Sequence, residues 1–178
     1  MKTIIKLSVS VIVSVIIMLT PSSCKKEDTS GGYMTIKMTD APADYLAVNV
    51  DVRSINMNVE NGGWINLPIH AGIYNLLELQ NNVSVVLADD VKLPIGKIHQ
   101  LRLILGTNNT IKTIEGVYPL SISSGSESGL KINMQETITK KEHLEVVLDF
   151  DVKASIVENG NHSFSLKPVI KVKSVTQI

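Results

Sequence analysis

The chain has 178 residues, of which 44% are hydrophobic and 19% are charged, and this balance excludes an intrinsically disordered segment and suits one domain with a real core. Its 17 Lys and Arg and its 17 Asp and Glu give zero net charge, which excludes the basic surface that nucleic acid requires. The single cysteine excludes an intrachain disulfide and a structural zinc site built on several thiolates.

The first 23 residues have the pattern of a secretory signal peptide. Lys2 and Lys6 form a basic start, and residues 4–19 are almost wholly apolar. Such a basic region followed by an apolar region directs secretion. The apolar run is short for a helix that spans a bilayer, which needs about 20 residues. We therefore predict a signal peptide over 1–23, with an uncleaved N-terminal anchor as the alternative.

The lone cysteine, Cys24, follows Pro21-Ser22-Ser23, and this tetrapeptide resembles the lipobox of bacterial lipoproteins. The resemblance implies cleavage before Cys24 and a diacylglyceryl group on its sulfur. Pro21 departs from the leucine usual at that position, as in the looser lipobox of Bacteroidetes. An incidental free thiol is the alternative. We predict lipidation at Cys24 and attachment to the membrane through the acyl chains.

Residues 24–32 are predicted to be a flexible linker because they end in Thr29-Ser30-Gly31-Gly32. Lys26-Glu27-Asp28 resembles the export signal that sends Bacteroidetes lipoproteins to the outer face of the outer membrane, although a solvated charged linker would look the same. The predicted location is therefore the cell envelope, at the outer membrane and exposed on the surface.

From residue 33 onward apolar and polar residues alternate with a period of two, which predicts β-strands. Met34, Ile36 and Met38 share one face of the first strand. In the next strand the apolar phase slips by one residue near Arg53 and Ser54, which predicts a β-bulge. Asn61-Gly62-Gly63 predicts a hairpin turn.

The remaining pattern predicts short strands separated by turns rich in Gly and Asn. The further predicted strands span residues 64–67, 73–77, 98–105, 111–114, 117–122, 130–134, 144–152, 164–166 and 169–175. A helical turn or covering loop is predicted over 81–90, a polar loop over 123–129, and one helical turn over 154–158 with Asp151 as its cap. We predict an all-β fold, a single antiparallel β-sandwich over 33–178 with roughly seven to nine strands, like immunoglobulin or transthyretin sandwiches.

Four carboxylates form a candidate polar or metal site. Asp149 and Asp151 are two residues apart on one strand face, and Asp40 and Asp44 in the first loop can join them. Converging carboxylates are the ligands that Ca²⁺ prefers. A solvent-facing strand face is the favoured alternative, and no metal or other cofactor is predicted.

Two further side chains have uncommon surroundings. Arg102 lies in the apolar run 101–105, so we expect a buried ion pair with Asp40 or Glu78. Trp64 follows two glycines; it is either exposed at a hairpin tip, where it could stack on a sugar, or buried in the core, and we favour the core.

No recognisable catalytic set is present. The four histidines, at positions 70, 99, 143 and 162, are scattered in the chain, and their spacing matches no metal motif. Neither a nucleophile elbow nor a phosphate-binding glycine loop occurs in the sequence.

A set of short segments is spread along the chain: Met38-Thr39-Asp40-Ala41-Pro42, Tyr45, Val48-Asn49-Val50, Gly63-Trp64, Tyr74-Asn75-Leu76-Leu77-Glu78-Leu79, Gln100-Leu101-Arg102-Leu103-Ile104-Leu105, Ser128-Gly129-Leu130-Lys131, Leu148-Asp149-Phe150-Asp151, Ser155-Ile156-Val157 and Lys167-Pro168-Val169-Ile170. Together these segments resemble the bacterial family called domain of unknown function 4382. The resemblance covers nearly all of the mature chain. It implies a secreted or lipid-anchored, β-rich protein without assigned activity, and it supplies no catalytic residues.

The sequence therefore predicts a non-enzymatic binding or structural module that presents its loops to an extracellular glycan or protein. Two alternatives stay open. One is an accessory hydrolase that depends on carboxylates or a metal. The other is an adhesion or assembly subunit that adds a strand to a neighbour's sheet.

Overall fold

The structure is a computed structural model that describes residues 31–122 and 129–178. The predicted signal peptide, Cys24 and the predicted linker up to residue 30 lie outside the described residues, as does the predicted polar loop up to residue 128. The strands are β1 (Gly32–Asp40), β2 (Ala47–Val59), β3 (Gly63–Leu67), β4 (Gly72–Asn75), β5 (Val85–Leu93), β6 (Gly96–Leu105), β7 (Thr110–Lys112), β8 (Val117–Ile122), β9 (Leu130–Asn133), β10 (Thr137–Ile138), β11 (His143–Phe150), β12 (Ile156–Gly160), β13 (Ser163–Leu166) and β14 (Ile170–Gln177).

These strands form two sheets that pack on each other, so the predicted all-β sandwich is confirmed. The smaller sheet has four strands in the order β14-β11-β1-β5. The larger sheet has ten, with the main order β10-β6-β2-β7-β8-β13-β12 and with β3, β4 and β9 at its sides. Buried side chains of both sheets form one core cluster, which includes Met34 and Phe150 from the smaller sheet and Met57 and Leu101 from the larger.

Not every strand pair has the predicted antiparallel direction. β1 pairs with β11 in parallel, and β8 pairs with β13 in parallel. Both pairs join strands that are far apart in the chain, with other strands between them, and such a connection permits the parallel direction that a tight hairpin forbids.

The larger sheet is built from interrupted strands. β3 and then β4 pair along one side of β2, while β6 and then β7 pair along its other side. β8 pairs with β7, and β9 pairs with β6. The break at residues 106–109 therefore lies beside the end of β8 in the neighbouring strand.

Several predicted irregularities are confirmed. The register of β2 against β6 shifts between Val52 and Ser54, where the apolar phase slips in the sequence. The turn at 61–63 joins β2 to β3, and Thr113 N donates a hydrogen bond to Gly116 O in the β7–β8 hairpin, at 2.9 Å.

The helical turn or loop predicted over 81–90 is wrong, because residues from Val85 onward form the edge strand β5. The register of β5 against β1 shifts between Met34 and Ile36, opposite Asp89 and Asp90, and Asp90 has a φ of 45°. The bulge interrupts the alternation by which a strand is recognised.

Helical structure is limited to two short segments in the described part of the chain. A 3₁₀ helix covers Leu76–Leu79, and α1 covers Val152–Ser155. The predicted cap is confirmed, since the Asp151 carboxylate accepts a hydrogen bond from Ala154 N at 2.9 Å, although α1 begins earlier than predicted and β12 follows it. No helix within 31–122 and 129–178 is long and apolar enough to cross a membrane.

The two ends of β6 define two poles of the domain. We call one end the entry pole, because the described chain enters the domain there: Gly31 O accepts a hydrogen bond from Lys141 N, and Ile138 pairs with Gly96, the first residue of β6. We call the other end of the strand, at Leu105, the groove pole, because a groove lies there. Nine residue steps of extended chain separate the two poles by about 30 Å.

Candidate functional site

A groove of about 860 Å³ lies at the groove pole. Its walls come from the end of β6, from β8 and from the start of β13. Leu105, Leu120, Ile122 and Phe164 supply apolar surface, while Thr107, Ser121, Ser163 and His162 supply polar atoms. No Asp, Glu, Lys or Arg of the described residues lines it. The groove lies beside the break at residues 106–109, where β6 and β8 end.

His162 reaches the rim of this groove through a tight turn. Asn161 and His162 join β12 to β13 with φ values of 49° and 55°, the left-handed pair that a two-residue hairpin of type I′ requires. The ring of His162 stacks on Tyr118 with 5.5 Å between centroids and 9° between planes. Its Nδ1 lies 2.8 Å from Glu115 Oε2. The imidazole is thus held between two hairpins.

A buried aspartate supports the strand break beside the groove. Asp51 is 1% exposed, and its Oδ2 lies 2.7 Å from Arg53 Nη2 and accepts a hydrogen bond from Asn108 N at 3.3 Å. Gly106 must be glycine here, since a Cβ would lie 2.3 Å from Asp51 Oδ2. In the sequence, Asp51 has only the polar position that alternation along β2 provides, and no motif indicates this role.

Asn109 joins this support to the neighbouring strand. Its side chain accepts a hydrogen bond from Asp51 N at 2.8 Å and donates one to Gly106 O at 2.7 Å. Its own carbonyl accepts a hydrogen bond from Leu120 N at 2.9 Å. Through its side chain and its backbone, this one buried residue links β2, the end of β6 and β8.

The four predicted carboxylates do not form one site. Asp40 and Asp149 lie on the paired strands β1 and β11 and are both buried, whereas Asp44 is exposed and Asp151 caps α1. Asp149 Oδ2 lies 3.2 Å from Lys171 Nζ. Within the described residues no group of three or more His, Cys, Asp or Glu side chains is placed to hold a metal ion.

Asp40 is the most perturbed of these carboxyl groups. It is 4% exposed, its Oδ1 accepts a hydrogen bond from Val152 N at 3.1 Å, and its Oδ2 has no hydrogen-bond partner among the described residues. Burial raises the pKa of Asp40 to about 6, against the hydrogen bonds that lower it, and the charge of Asp149 adds a smaller increase. Asp40 thus carries its proton well above the usual range of a carboxyl group.

Arg102 and Trp64 both differ from their predicted surroundings. Arg102 points away from the core, and its guanidinium carbon lies 4.1 Å from the ring centroid of Trp64, rather than against Asp40 or Glu78. Leu101 and Leu103 fill the core on the opposite face of β6, which leaves Arg102 on the outer face. Trp64 is 46% exposed on β3, so the favoured core position is wrong.

Thr35, His143 and Asp90 form successive side-chain contacts across the smaller sheet. Thr35 Oγ1 is 3.2 Å from His143 Nε2, and His143 Nδ1 is 3.4 Å from Asp90 Oδ1. Thr35 is 5% exposed, and its hydroxyl also accepts a hydrogen bond from Asp90 N at 3.2 Å. We interpret these contacts as structural: they hold the β5 bulge in place. The Thr35 hydroxyl is buried and contacts both His143 and Asp90.

Together, the fold and the groove define an all-β sandwich domain with a cavity between strand ends. The chain belongs to the family described as Domain of unknown function (DUF4382), whose sequence profile matches residues 31–168. This match confirms the family resemblance. No curated protein and no solved structure matches the chain.

Proposed function

We propose that this protein is a lipid-anchored binding module of the bacterial cell envelope that takes a small uncharged ligand into the groove without chemical turnover. The groove is the observation that carries this proposal. Its volume of about 860 Å³ lies in the range typical of small-molecule sites, which are mostly apolar with a few placed polar groups.

The lining indicates the chemistry of the ligand. Leu105, Ile122 and Phe164 favour an apolar body, and the hydroxyls of Thr107 and Ser121 favour one or two hydrogen-bonding groups. Among the described lining residues, a charged ligand would lose its hydration without gaining a partner of opposite charge. We therefore propose a neutral amphiphilic molecule with an apolar part and hydroxyl groups.

We propose the lipid anchor because the sequence has a predicted signal peptide over residues 1–23 that is followed by Cys24. The distance between the poles supports this arrangement, since a chain anchored through Cys24 would enter the domain at Gly31, about 30 Å along β6 from the groove. The groove would then face away from the membrane, where ligands arrive. A surface location at the outer membrane belongs to the same proposal.

Binding is tested with n-octyl glucoside, a neutral amphiphile, below its micelle concentration. In NMR titrations of the domain we expect saturable shifts of the Leu105, Ser121 and Phe164 amides. Ser121→Trp fills the groove from an exposed position and should abolish these shifts. Ser174→Trp, the same change on exposed β14, should leave them intact. The absence of saturable shifts in the groove of the wild-type domain would rule out the proposed ligand class.

Anchoring is tested by mass spectrometry of the protein made in a bacterial host that acylates lipoproteins. We expect a product that begins at Cys24 and carries acyl chains, and we expect Cys24→Ser to release the protein from the membrane fraction. A wild-type product with an unmodified sulfur would contradict the anchor.

A further inference from the structure

We infer that the outer face of the larger sheet is a second binding site, which recognises an acidic oligosaccharide whose sugars carry carboxylates. Strands β3, β2, β6 and β9 lie side by side there and present two aligned rows of side chains. The first row is Trp64, Asn58, Gln100 and Asn133. The second row is Asn66, Asn56, Arg102 and Lys131. We call these eight residues the amide face.

The amide face is turned away from the core. Directly paired residues point to the same side of a sheet, and their sequence neighbours point to the other side. The intervening residues Met57, Leu101 and Ile132 are buried in the core, so both rows face outward. Four strands span about 14 Å and two rows about 7 Å, an area that accommodates two or three sugar rings.

The composition of this face suits a sugar. Five of its eight side chains are amides, and an amide both donates and accepts hydrogen bonds, as the hydroxyl groups of a sugar require. Within the described residues no hydrogen bond engages the side chains of Asn56, Asn58 or Asn66. Exposed strand faces commonly carry acids beside their lysines. The two rows of the amide face differ, because neither contains a carboxylate.

The arginine of this face is held ready for an anion. Arg102 Nε donates a hydrogen bond to Gln100 Oε1 at 3.2 Å, and Gln100 Nε2 donates one to Asn133 Oδ1 at 3.1 Å. The guanidinium stacks on Trp64 at 4.1 Å, an attraction between a cation and an aromatic ring. These contacts fix the plane of the guanidinium, which can bind a carboxylate through two hydrogen bonds.

The charge of this face selects an acidic ligand. Arg102 and Lys131 are directly paired on β6 and β9, and neither forms an ion pair with an acid in the described part of the chain. Two neighbouring cations repel each other, and a ligand carboxylate between them relieves that repulsion. The exposed Trp64 adds an aromatic surface for the apolar face of a sugar ring.

The amide face does not depend on the groove, since the two sites share no residue. The proposed function can therefore fail while this inference holds, and this inference can fail while the proposed function holds. The chain has one tryptophan, so its fluorescence reports on the amide face alone.

The test is a fluorescence titration of the wild-type domain with hexagalacturonate, whose sugars each carry a carboxylate. We expect a saturable change in Trp64 emission. The matched control is the same oligosaccharide with its carboxylates methyl-esterified, which should bind at least about tenfold more weakly because it offers the cations no charge. Equal affinity for both forms, or no saturable change with hexagalacturonate, would overturn the inference.

Variants then assign the effect to the named side chains by calorimetry. Arg102→Lys keeps the charge but removes the planar guanidinium, and it should weaken hexagalacturonate binding about tenfold. Lys173→Ala removes a cation from β14 and should leave the affinity unchanged. Circular dichroism checks that both variants are folded. Full affinity in Arg102→Lys would show that charge alone is recognised and would overturn the site, and so would a loss in Lys173→Ala as large as that in Arg102→Lys.

Discussion

At the scale of single residues, Asp40 shows how burial changes the chemistry of a carboxyl group. Its Oδ2 faces the protein interior without a hydrogen-bond partner in the described structure, and burial raises its pKa to about 6. Below this pH the group is neutral and well tolerated, whereas above it the charge must be held in the interior. The residue therefore makes folding sensitive to pH in the weakly acidic range.

Asp40→Asn tests this sensitivity. The pKa of Asp40 is about 6 in the folded state and 3.8, the ordinary value of an aspartate, in the unfolded state, so between these pH values the folded state holds a proton that the unfolded state has lost. Stability from this group is present below pH 3.8 and is lost as pH rises through 6, by up to about 3 kcal/mol. Asparagine does not titrate, so we expect the free energy of unfolding to vary less with pH in the variant. Urea unfolding from pH 4 to pH 7 measures the difference.

The control for this measurement is Asp44→Asn, which removes an exposed carboxylate at the end of the same loop. Its pH profile should run parallel to that of the wild type. If the difference between the wild type and Asp40→Asn were the same at every pH, Asp40 would not titrate in this range.

At the scale of single elements, the edge strand β5 depends on contacts from other strands. Thr35 on β1 accepts the amide hydrogen of Asp90, and His143 on β11 lies between Thr35 and Asp90. Without these contacts the bulge would leave buried polar groups unpaired. A bulge at an exposed edge also discourages pairing with another chain.

Thr35→Val tests the connection while it keeps the shape of the side chain. The variant leaves the Asp90 amide and the His143 ring without their hydroxyl partner, so we expect it to destabilise the domain by about 1–3 kcal/mol. Thr176→Val makes the same change at an exposed position on β14 and should stay within about 0.5 kcal/mol of the wild type. Equal stability of Thr35→Val and the wild type in urea unfolding would show that the hydroxyl contributes nothing.

Removing the last strand, β14, tests whether this strand belongs to the folding unit. The family profile stops at residue 168, but β14 begins at Ile170 and pairs along most of β11, and its Ile170, Val172 and Val175 pack against the core. A chain that ends at Pro168 exposes this part of the core, so we expect it to lose cooperative unfolding in circular dichroism. Adding a peptide of residues 169–178 should restore the transition. A cooperative transition without the peptide would contradict this view.

Some elements were predictable because their information is local. The strand at Gly96–Leu105 has continuous apolar alternation, and the turns at 61–63 and 115–116 have the residues that tight turns require. The slip at Arg53 and Ser54 predicted its bulge correctly for the same reason. β5 was missed because its irregularity is imposed by β1 and β11, which lie far away in the chain.

At the scale of the whole molecule, the arrangement of the two poles determines what the protein can present. The groove pole and the entry pole are at opposite ends of β6, so the proposed anchor at Cys24 would leave the groove free. The amide face lies along the side of the larger sheet, between the two poles. A tethered domain of this shape can offer both surfaces to the surroundings at once.

Thr107→Cys tests the orientation in intact cells. Thr107 lies on the groove and is exposed, and the acylated Cys24 would leave the new cysteine as the only free thiol. We expect a membrane-impermeant maleimide to label it in intact cells as fully as in permeabilised cells. Labelling that requires permeabilisation would show that the domain faces the periplasm.

The sequence alone determined the all-β class, the faces of most strands, many turns and the family, because alternation and turn chemistry act between near neighbours. Only the tertiary structure decided that Trp64 is exposed, that Arg102 stacks on it, and that Asp51 and Asn109 support a groove. Each of these depends on the register between strands that are distant in the chain. That register is set by the packing of the whole core, which no local pattern records.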